Sequence, residues 1–443
     1  ITGVTANNKV YDGILTTGLS GAATVTGLGA DVVSVSGVGI GSFADRNVGS
    51  AKAVTVSGYG LTGADAGNYL AVQPTGLTAD ISQANLTVST SAVNRVYDGT
   101  TNAAGSAIVT GGSLFGGDTL TGGTFAFVSK NVGTNVTVNV SGVSVNDGNG
   151  GANYALTQAS NATSNITAAP LAITGVTANN KVYDGILTTG LSGAATVTGL
   201  GADVVSVSGV GIGSFADRNV GSAKAVTVSG YGLTGADAGN YLAVQPTGLS
   251  ADITPANITI STNNINRVYD GTNNATGTAI ASVGTLFGGD NLTGGTYAFT
   301  DRNVGTGKTV NVSGVTVNDG NGGSNYTVSY APNTASVITI RPTSNWTGLA
   351  GDGLWSSAGN WDALPDASNV QSVNISGASV AYDLPGTTNL VTLSSTGDLG
   401  LASGILSISS GLSTSGFSQS GGSLVGAGGL VVGSSFSQSG GHD

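Results

Sequence analysis

Few residues in this chain have the type and spacing to do chemistry, and the clearest recur in a fixed phrase. Tyr-Asp-Gly stands at Tyr11-Asp12-Gly13, Tyr97-Asp98-Gly99, Tyr183-Asp184-Gly185 and Tyr269-Asp270-Gly271. An aromatic ring beside a carboxylate is one half of a ligand site. The same three residues also make a tight turn, with Asp-Gly supplying the bend and Tyr packing at a domain edge. The turn is the favoured reading. Lys9, Arg95, Lys181 and Arg267 each stand two residues before the tyrosine. Because Lys and Arg interchange there, a lysine-specific reaction is excluded and an ion pair across strands, to carboxylates such as Asp45, is expected. If exposed, such a pair contributes about 0–1 kcal/mol.

Three further groups warrant a chemical reading. Asp147 and Asn149, with their counterparts Asp319 and Asn321, lie in oxygen-rich loops that are candidates for calcium, a hard cation that prefers carboxylate and carbonyl oxygens. Each loop brings a single Asp, which favours an ordinary Asx turn. Trp346, Trp355 and Trp361 are candidates for a sugar-stacking platform, against a reading in which they bury apolar area and seal a junction. Lys52, Lys224 and Lys308 are the best placed lysines for an intramolecular isopeptide bond, but the second repeat has Asn135 at that position and no Glu is available to assist. Asp45, Asp217 and Asp301 are read as turn caps or as partners of the adjacent Arg.

Composition removes most other chemistry. The 443 residues include no Cys, no Met and no Glu, and the one His is His442. Thiolate nucleophiles, disulfides, cysteine metal sites and a Ser-His-Asp triad are therefore unavailable. Twelve basic against 23 acidic residues give a net charge of -11, so nucleic acid is not an expected partner. No apolar run reaches the roughly 18 residues of a membrane-spanning helix. No catalytic pair stands apart from the repeat-related Asp residues, and the chain is read as non-enzymatic, without cofactor.

The elements that position these residues are repeats. Tyr-Asp-Gly returns every 86 residues, and residues 1–77 are identical to 173–249. The order is A-B-A-B, with modules at 1–83, 84–169, 170–255 and 256–341 and a different, Gly/Ser-rich segment at 342–443. Apolar residues alternate with Thr, Ser and Asn, as in Val54-Thr55-Val56-Ser57 and Val136-Thr137-Val138-Asn139-Val140, the pattern of strands with one face buried. Gly, Asn and Asp clusters separate the runs. The fold class is all-β: tandem sandwich or β-grasp-like modules of six or seven strands, each with its own core, followed by the start of a β-solenoid. The first module begins three residues late in this register, which is read as truncation of a longer array.

Three phrases accompany Tyr-Asp-Gly: Phe-x-[Asp/Ser]-[Arg/Lys]-Asn-Val-Gly, as in Phe43 to Gly49 and Phe299 to Gly305; a Val-rich run ending in Ser-Gly; and Gly67-Asn68-Tyr69 or Gly151-Ala152-Asn153-Tyr154. Together they resemble the YDG-type modules of large secreted filamentous-haemagglutinin-like bacterial adhesins over residues 1–341. The B modules depart slightly: Ser129-Lys130 replaces the Asp-Arg pair of the A modules, and Asp147-Gly148-Asn149-Gly150 replaces the Ala-Asp-Ala-Gly stretch at 64–67. Beyond Arg341, the segment from Trp355 to Trp361 and the return of Phe417-Ser418-Gln419-Ser420-Gly421-Gly422 at Phe436 to Gly441 resemble the opening of an autotransporter-like β-solenoid.

The resemblance implies an extracellular, cell-surface repeat protein, and the leading reading is a non-catalytic adhesin stalk. One alternative is a self-associating subunit of a filament or biofilm matrix, in which the incomplete first strand at Ile1 accepts a strand from another chain. The other is a glycan-binding module acting on host or neighbouring-cell surfaces.

Overall fold

A computed structural model describes residues 1–440; His442, and Gly441 of the second Phe-Ser-Gln phrase, lie outside them. Among the described residues there is no α-helix, only strands and three single-turn 3-10 segments, Ala66–Asn68, Ala238–Asn240 and Ala358–Asn360. The all-β expectation holds. The chain divides into two compact units.

The first unit comprises Ile1–Val176, Gly193–Gly211 and Ser229–Pro246. Its first repeat carries β1 (Thr5–Ala6), β2 (Lys9–Val10), β3 (Thr16–Thr17), β4 (Leu19–Ser20), β5 (Ser34–Phe43), β6 (Gly49–Thr62) and β7 (Leu77–Ser82). A long antiparallel hairpin of β5 and β6, with Phe43 opposite Val54, lies inside a sheet of order β2-β7-β6-β5-β3, where β2 runs parallel to β7. The second repeat carries β8 (Ala84–Thr90), β9 (Asn94–Val96), β10 (Ala107–Gly111), β11 (Thr119–Phe127), β12 (Gly133–Asn146), β13 (Tyr154–Gln158) and β14 (Asn161–Thr167). These form two sheets, β10-β8-β13 and β11-β12-β14-β9.

The alternation along β12 shows why the sequence folds this way. Val138 and Val140 are buried while Asn139 between them is exposed. The phase then reverses at Gly142, whose φ of 66° is open to glycine, and Val143 and Val145 become the buried pair. The strand also divides between two cores, and the division falls between Val138 and Val140, before the reversal. Val138 packs with Val93, Tyr97, Phe127 and Ile166 of its own repeat and with Ala169, Leu171 and Tyr241, all but the first of the last three belonging to the third repeat. Val140, Val143 and Val145 pack with Leu86, Val88 and Tyr154 and with Tyr11, Phe43, Val54 and Ile81 of the first repeat. One core per repeat is therefore not what is found. The cores lie across repeat boundaries, because each long strand offers its two ends to different neighbours. Each fully buried Val contributes about 1.5–3 kcal/mol, so much of the apolar stabilisation is stored at the junctions.

The second unit comprises Thr177–Ser192, Ile212–Val228 and the chain from Thr247 onward. It contains the same kind of shared core: Tyr183, Phe215, Val226 and Ile253 pack with Ile258, Ile260, Val312, Val317 and Tyr326. A last core joins Tyr269, Phe299, Val310 and Ile338 to Trp355, Trp361, Val373, Leu393, Leu406 and Phe417. After residue 340 the pairing becomes parallel: Arg341–Asn345, Val370–Ile375, Thr387–Ser395, Ile405–Gln419 and Gly429–Gln438 lie successively side by side. Like residues fall on like, with Phe417 opposite Phe436 and their rings stacked at 5.7 Å.

Candidate functional site

The tyrosines of Tyr-Asp-Gly converge on aspartates of the following segment. The Asp-Gly turn sets this up. Asp12 accepts the Ile14 N–H at 3.0 Å, and Asp98, Asp184 and Asp270 repeat the contact with the residue two positions on. The preceding cation pairs within the phrase, Lys9 with Asp12 at 2.5 Å and Arg95 with Asp98 at 2.5 Å. This corrects the expected pairing with Asp45-type carboxylates. Asp45 instead binds Lys52 at 2.5 Å and caps the Asn47 N–H at 2.8 Å. Asp217 and Asp301 do the same with Lys224 and Lys308. These lysines thus sit in ion pairs with half-exposed carboxylates. The phrase's own ion pair closes between residues three apart, so the tyrosine hydroxyl takes its partner from elsewhere.

Gly13 has φ 77°, and a Cβ there would meet the Gly116 nitrogen at 2.7 Å. The missing side chain lets the next repeat approach. Across that contact Tyr11 donates to Asp118 Oδ2 at 2.8 Å, and Tyr154 of the second repeat donates to the same oxygen at 2.8 Å. Arg46 of the first repeat donates to Asp118 Oδ1 at 3.0 Å and to the Gly116 carbonyl at 2.9 Å. The two phenol rings meet edge to face at 5.3 Å. Beside them the Val48 N–H donates to Asn153 Oδ1 at 2.9 Å, and Asn153 Nδ2 donates to Asn47 Oδ1 at 3.2 Å. Asp118 is buried, and two phenols and a guanidinium supply the donors that a buried carboxylate requires.

The arrangement recurs. In the first unit Tyr97 and Tyr241 both donate to Asp203 Oδ2 at 2.7 Å, Lys130 donates to Asp203 Oδ1 at 2.6 Å, and Asn240 bridges to Val132 and Asn131. In the second unit Tyr183 and Tyr326 donate to Asp290, Arg218 reaches it at 3.4 Å, and Asn325 bridges to Val220 and Asn219. The last junction uses other elements: Tyr269 is shared between Asp366 at 3.0 Å and the Leu364 carbonyl, Arg302 pairs with Asp366, and Asn369 bridges to Val304 and Asn303. Burial, reinforced by the aspartate, raises the Tyr11 and Tyr183 phenols to about 12. Asp203 is lowered to about 2, chiefly by the Lys130 ammonium and then by the two phenols.

A family model described as YDG domain matches residues 1–76, 82–163, 167–248 and 254–335. The chain belongs to the YDG domain family. No curated protein matches it.

The remaining candidates fall into place around these YDG domains. Asp147 Oδ1 accepts the N–H groups of Asn149 and Gly151 at 2.8 Å, and its Oδ2 accepts that of Asn153 at 3.0 Å. Asn149 Nδ2 donates to Asn153 Oδ1. Asp319 and Asn321 repeat this around Asn325. The calcium candidates are therefore turns that hold the bridging Asn in place, with their carboxylates already engaged by N–H donors. Among the described residues no group of three or more His, Cys, Asp or Glu is assembled to hold a metal ion.

Trp355 and Trp361 are buried, and their indole N–H groups donate to the Pro365 and Trp355 carbonyls at 2.8 Å. Trp346 packs edge-on against Trp361 at 4.9 Å. Trp355 and Trp361 belong to the last core and are enclosed, while Trp346 packs against that core and stays half-buried, so the three rings do not form one exposed platform.

The acceptors Asp118, Asp203, Asp290 and Asp366 were not legible as sites. They stand in unlike phrases, Phe-Gly-Gly-Asp, Gly-Ala-Asp and Leu-Pro-Asp. Their donors, in the Tyr-Asp-Gly and Arg/Lys-Asn phrases, did stand out. The surplus of unassigned Asp residues without Glu was the available signal.

Proposed function

We propose that this chain is a non-catalytic, extracellular repeat stalk from the surface of a large bacterial adhesin. The observation that carries this reading is the repeated junction. Side chains that recur most regularly are engaged in joining one segment to the next, and at each of the four junctions the acceptor carboxylate is bound by a tyrosine and a cation of the preceding repeat. A load-transmitting array needs such joints more than it needs distinct ligand sites. The parallel stack from Arg341 to Gln438, with Phe417 over Phe436 and a 19-residue separation between Gln419 and Gln438, supports reading that segment as the start of a β-solenoid that continues the stalk. Gold-labelled antibody on intact producing cells tests the assignment. Label held on the outer surface, away from the envelope, supports a stalk; label confined to the cell interior contradicts it.

A second reading, a self-associating subunit of an extracellular filament, is favoured by one observation: the first repeat exposes the apolar side chains Leu28, Val32, Leu70 and Val72. Regular fibres formed by the purified chain would support it.

A further inference from the structure

Residues 1–77 and 173–249 are the same sequence in two settings. In the third repeat one face of this sequence is covered by the second repeat. Tyr97 and Lys130 bind Asp203, and Lys130 also lies 3.8 Å from Asp237. Asn240 is bridged to Asn131 and Val132. The segment Ala169–Ala172 pairs in parallel with Tyr241–Val244.

In the first repeat the same face is built and uncovered. Tyr69 donates to Asp31 at 2.7 Å, as Tyr241 does to Asp203 at 2.7 Å. The Leu28 N–H donates to the Tyr69 oxygen at 2.8 Å, as Leu200 does to Tyr241 at 2.8 Å. The Val32 N–H donates to Asp65 at 2.8 Å, matching Val204 on Asp237 at 2.9 Å. The receiving half of the junction therefore keeps its geometry without an occupant.

What is lacking is the occupant's contribution. Asp31 and Asp65 pair with no cation among the described residues, whereas Asp203 and Asp237 share Lys130. Asn68 is exposed where Asn240 is buried. Leu28 is 77% exposed against 43% for Leu200, and Val72 is 64% exposed against 38% for Val244. The backbone of Tyr69–Val72 has no strand where Tyr241–Val244 has one.

We propose that this face of the first repeat, centred on Asp31, Asp65, Asn68 and the Tyr69–Val72 edge, is a docking surface for the second half of a YDG domain built like residues 84–169. The occupant brings a phenol and an ammonium to Asp31, an Asn to Asn68 and an apolar extended segment to the edge. Mixed recognition by a strand edge and a paired charge gives register as well as affinity.

The test places a copy of residues 1–172 before Ile1 of the full chain, which recreates the sequence across the natural 172–173 boundary. The chain has no Cys, so introduced thiols are unique. A Cβ on Gly99 would lie 3.7 Å from Leu200 Cβ, close to the spacing in a disulfide. Gly99→Cys in the added copy is combined with Leu28→Cys in the original first repeat, and the unextended chain carrying Gly99→Cys with Leu200→Cys serves as reference. Under mild oxidation both thiols are expected to be lost within the extended chain as they are in the reference, and Tyr97→Phe with Lys130→Ala in the added copy should slow that loss. A reference that closes beside an extended chain whose thiols stay free overturns the proposal. So does closure between separate chains carrying Leu28→Cys alone, which would make a second copy the occupant. If the strained Gly99 position keeps the reference open, alkylation of a lone Leu28→Cys decides. A rate that falls on extension to that of Leu200→Cys supports docking, and an unchanged rate overturns it.

Discussion

The Tyr11 hydroxyl lies 2.8 Å from Asp118, a carboxylate 107 residues further along the chain and in the next YDG domain. Tyr97 with Asp203 and Tyr183 with Asp290 repeat this relation at separations of 106 and 107 residues. The motif's tyrosine is thus a donor to a neighbour, and the domain boundary read from sequence runs through the middle of a packed core.

Removing one hydroxyl tests the energetic weight of the contact. Tyr183→Phe keeps the ring against Tyr326 and Phe287 but leaves Asp290 short of a donor. Loss of about 1.5–3 kcal/mol is expected, the range for a hydrogen bond to a charged group. Denaturant unfolding of the second unit's transition would show it.

Acid should loosen the junction at Asp203. Its folded value of about 2 lies below the ordinary 3.8, so the folded state favours the ionised form. That stability is complete above about pH 4 and is lost as the pH falls toward 2. Melting temperature followed over this range should drop in the parent chain. Asp203→Asn should start lower and lose the part of the slope that this carboxylate supplies.

Alkali acts in the opposite sense. Tyr11 and Tyr183 have folded values of about 12 against an ordinary 10. Their stabilisation is present below pH 10 and is lost as the pH rises through 12. Tyrosinate absorbance should therefore show a late-titrating group of phenols, and Tyr11→Phe with Tyr183→Phe should reduce its amplitude.

The motif glycines should differ in sensitivity. Gly13 and Gly99 share φ 77°, but a Cβ on Gly13 meets backbone at 2.7 Å while one on Gly99 meets only Leu200 at 3.7 Å. Gly99→Ala should cost about 1–2 kcal/mol from its left-handed backbone. Gly13→Ala should cost more, since the neighbouring backbone must also move. Paired unfolding curves would rank them.

Strands, turns and repeats were readable because each is local. Val136 to Val140 alternate, and Asp-Gly bends. The junctions were not readable, because alternation reports which face of a strand is buried and not which neighbour buries it. Val138 and Val140 share a face and enter different cores. The aromatic candidates illustrate the same limit. Trp355 looks like a platform by type, and only packing shows it enclosed beside Tyr382 at 5.1 Å.

The most direct measurement is a double-mutant cycle on Tyr11→Phe and Asp118→Asn, read by equilibrium unfolding of the full chain. If the two residues join adjacent YDG domains, their effects are coupled and depart from additivity by about 0.5–3 kcal/mol. Strict additivity would contradict the account, leaving Tyr11 as a turn residue that happens to lie beside a carboxylate.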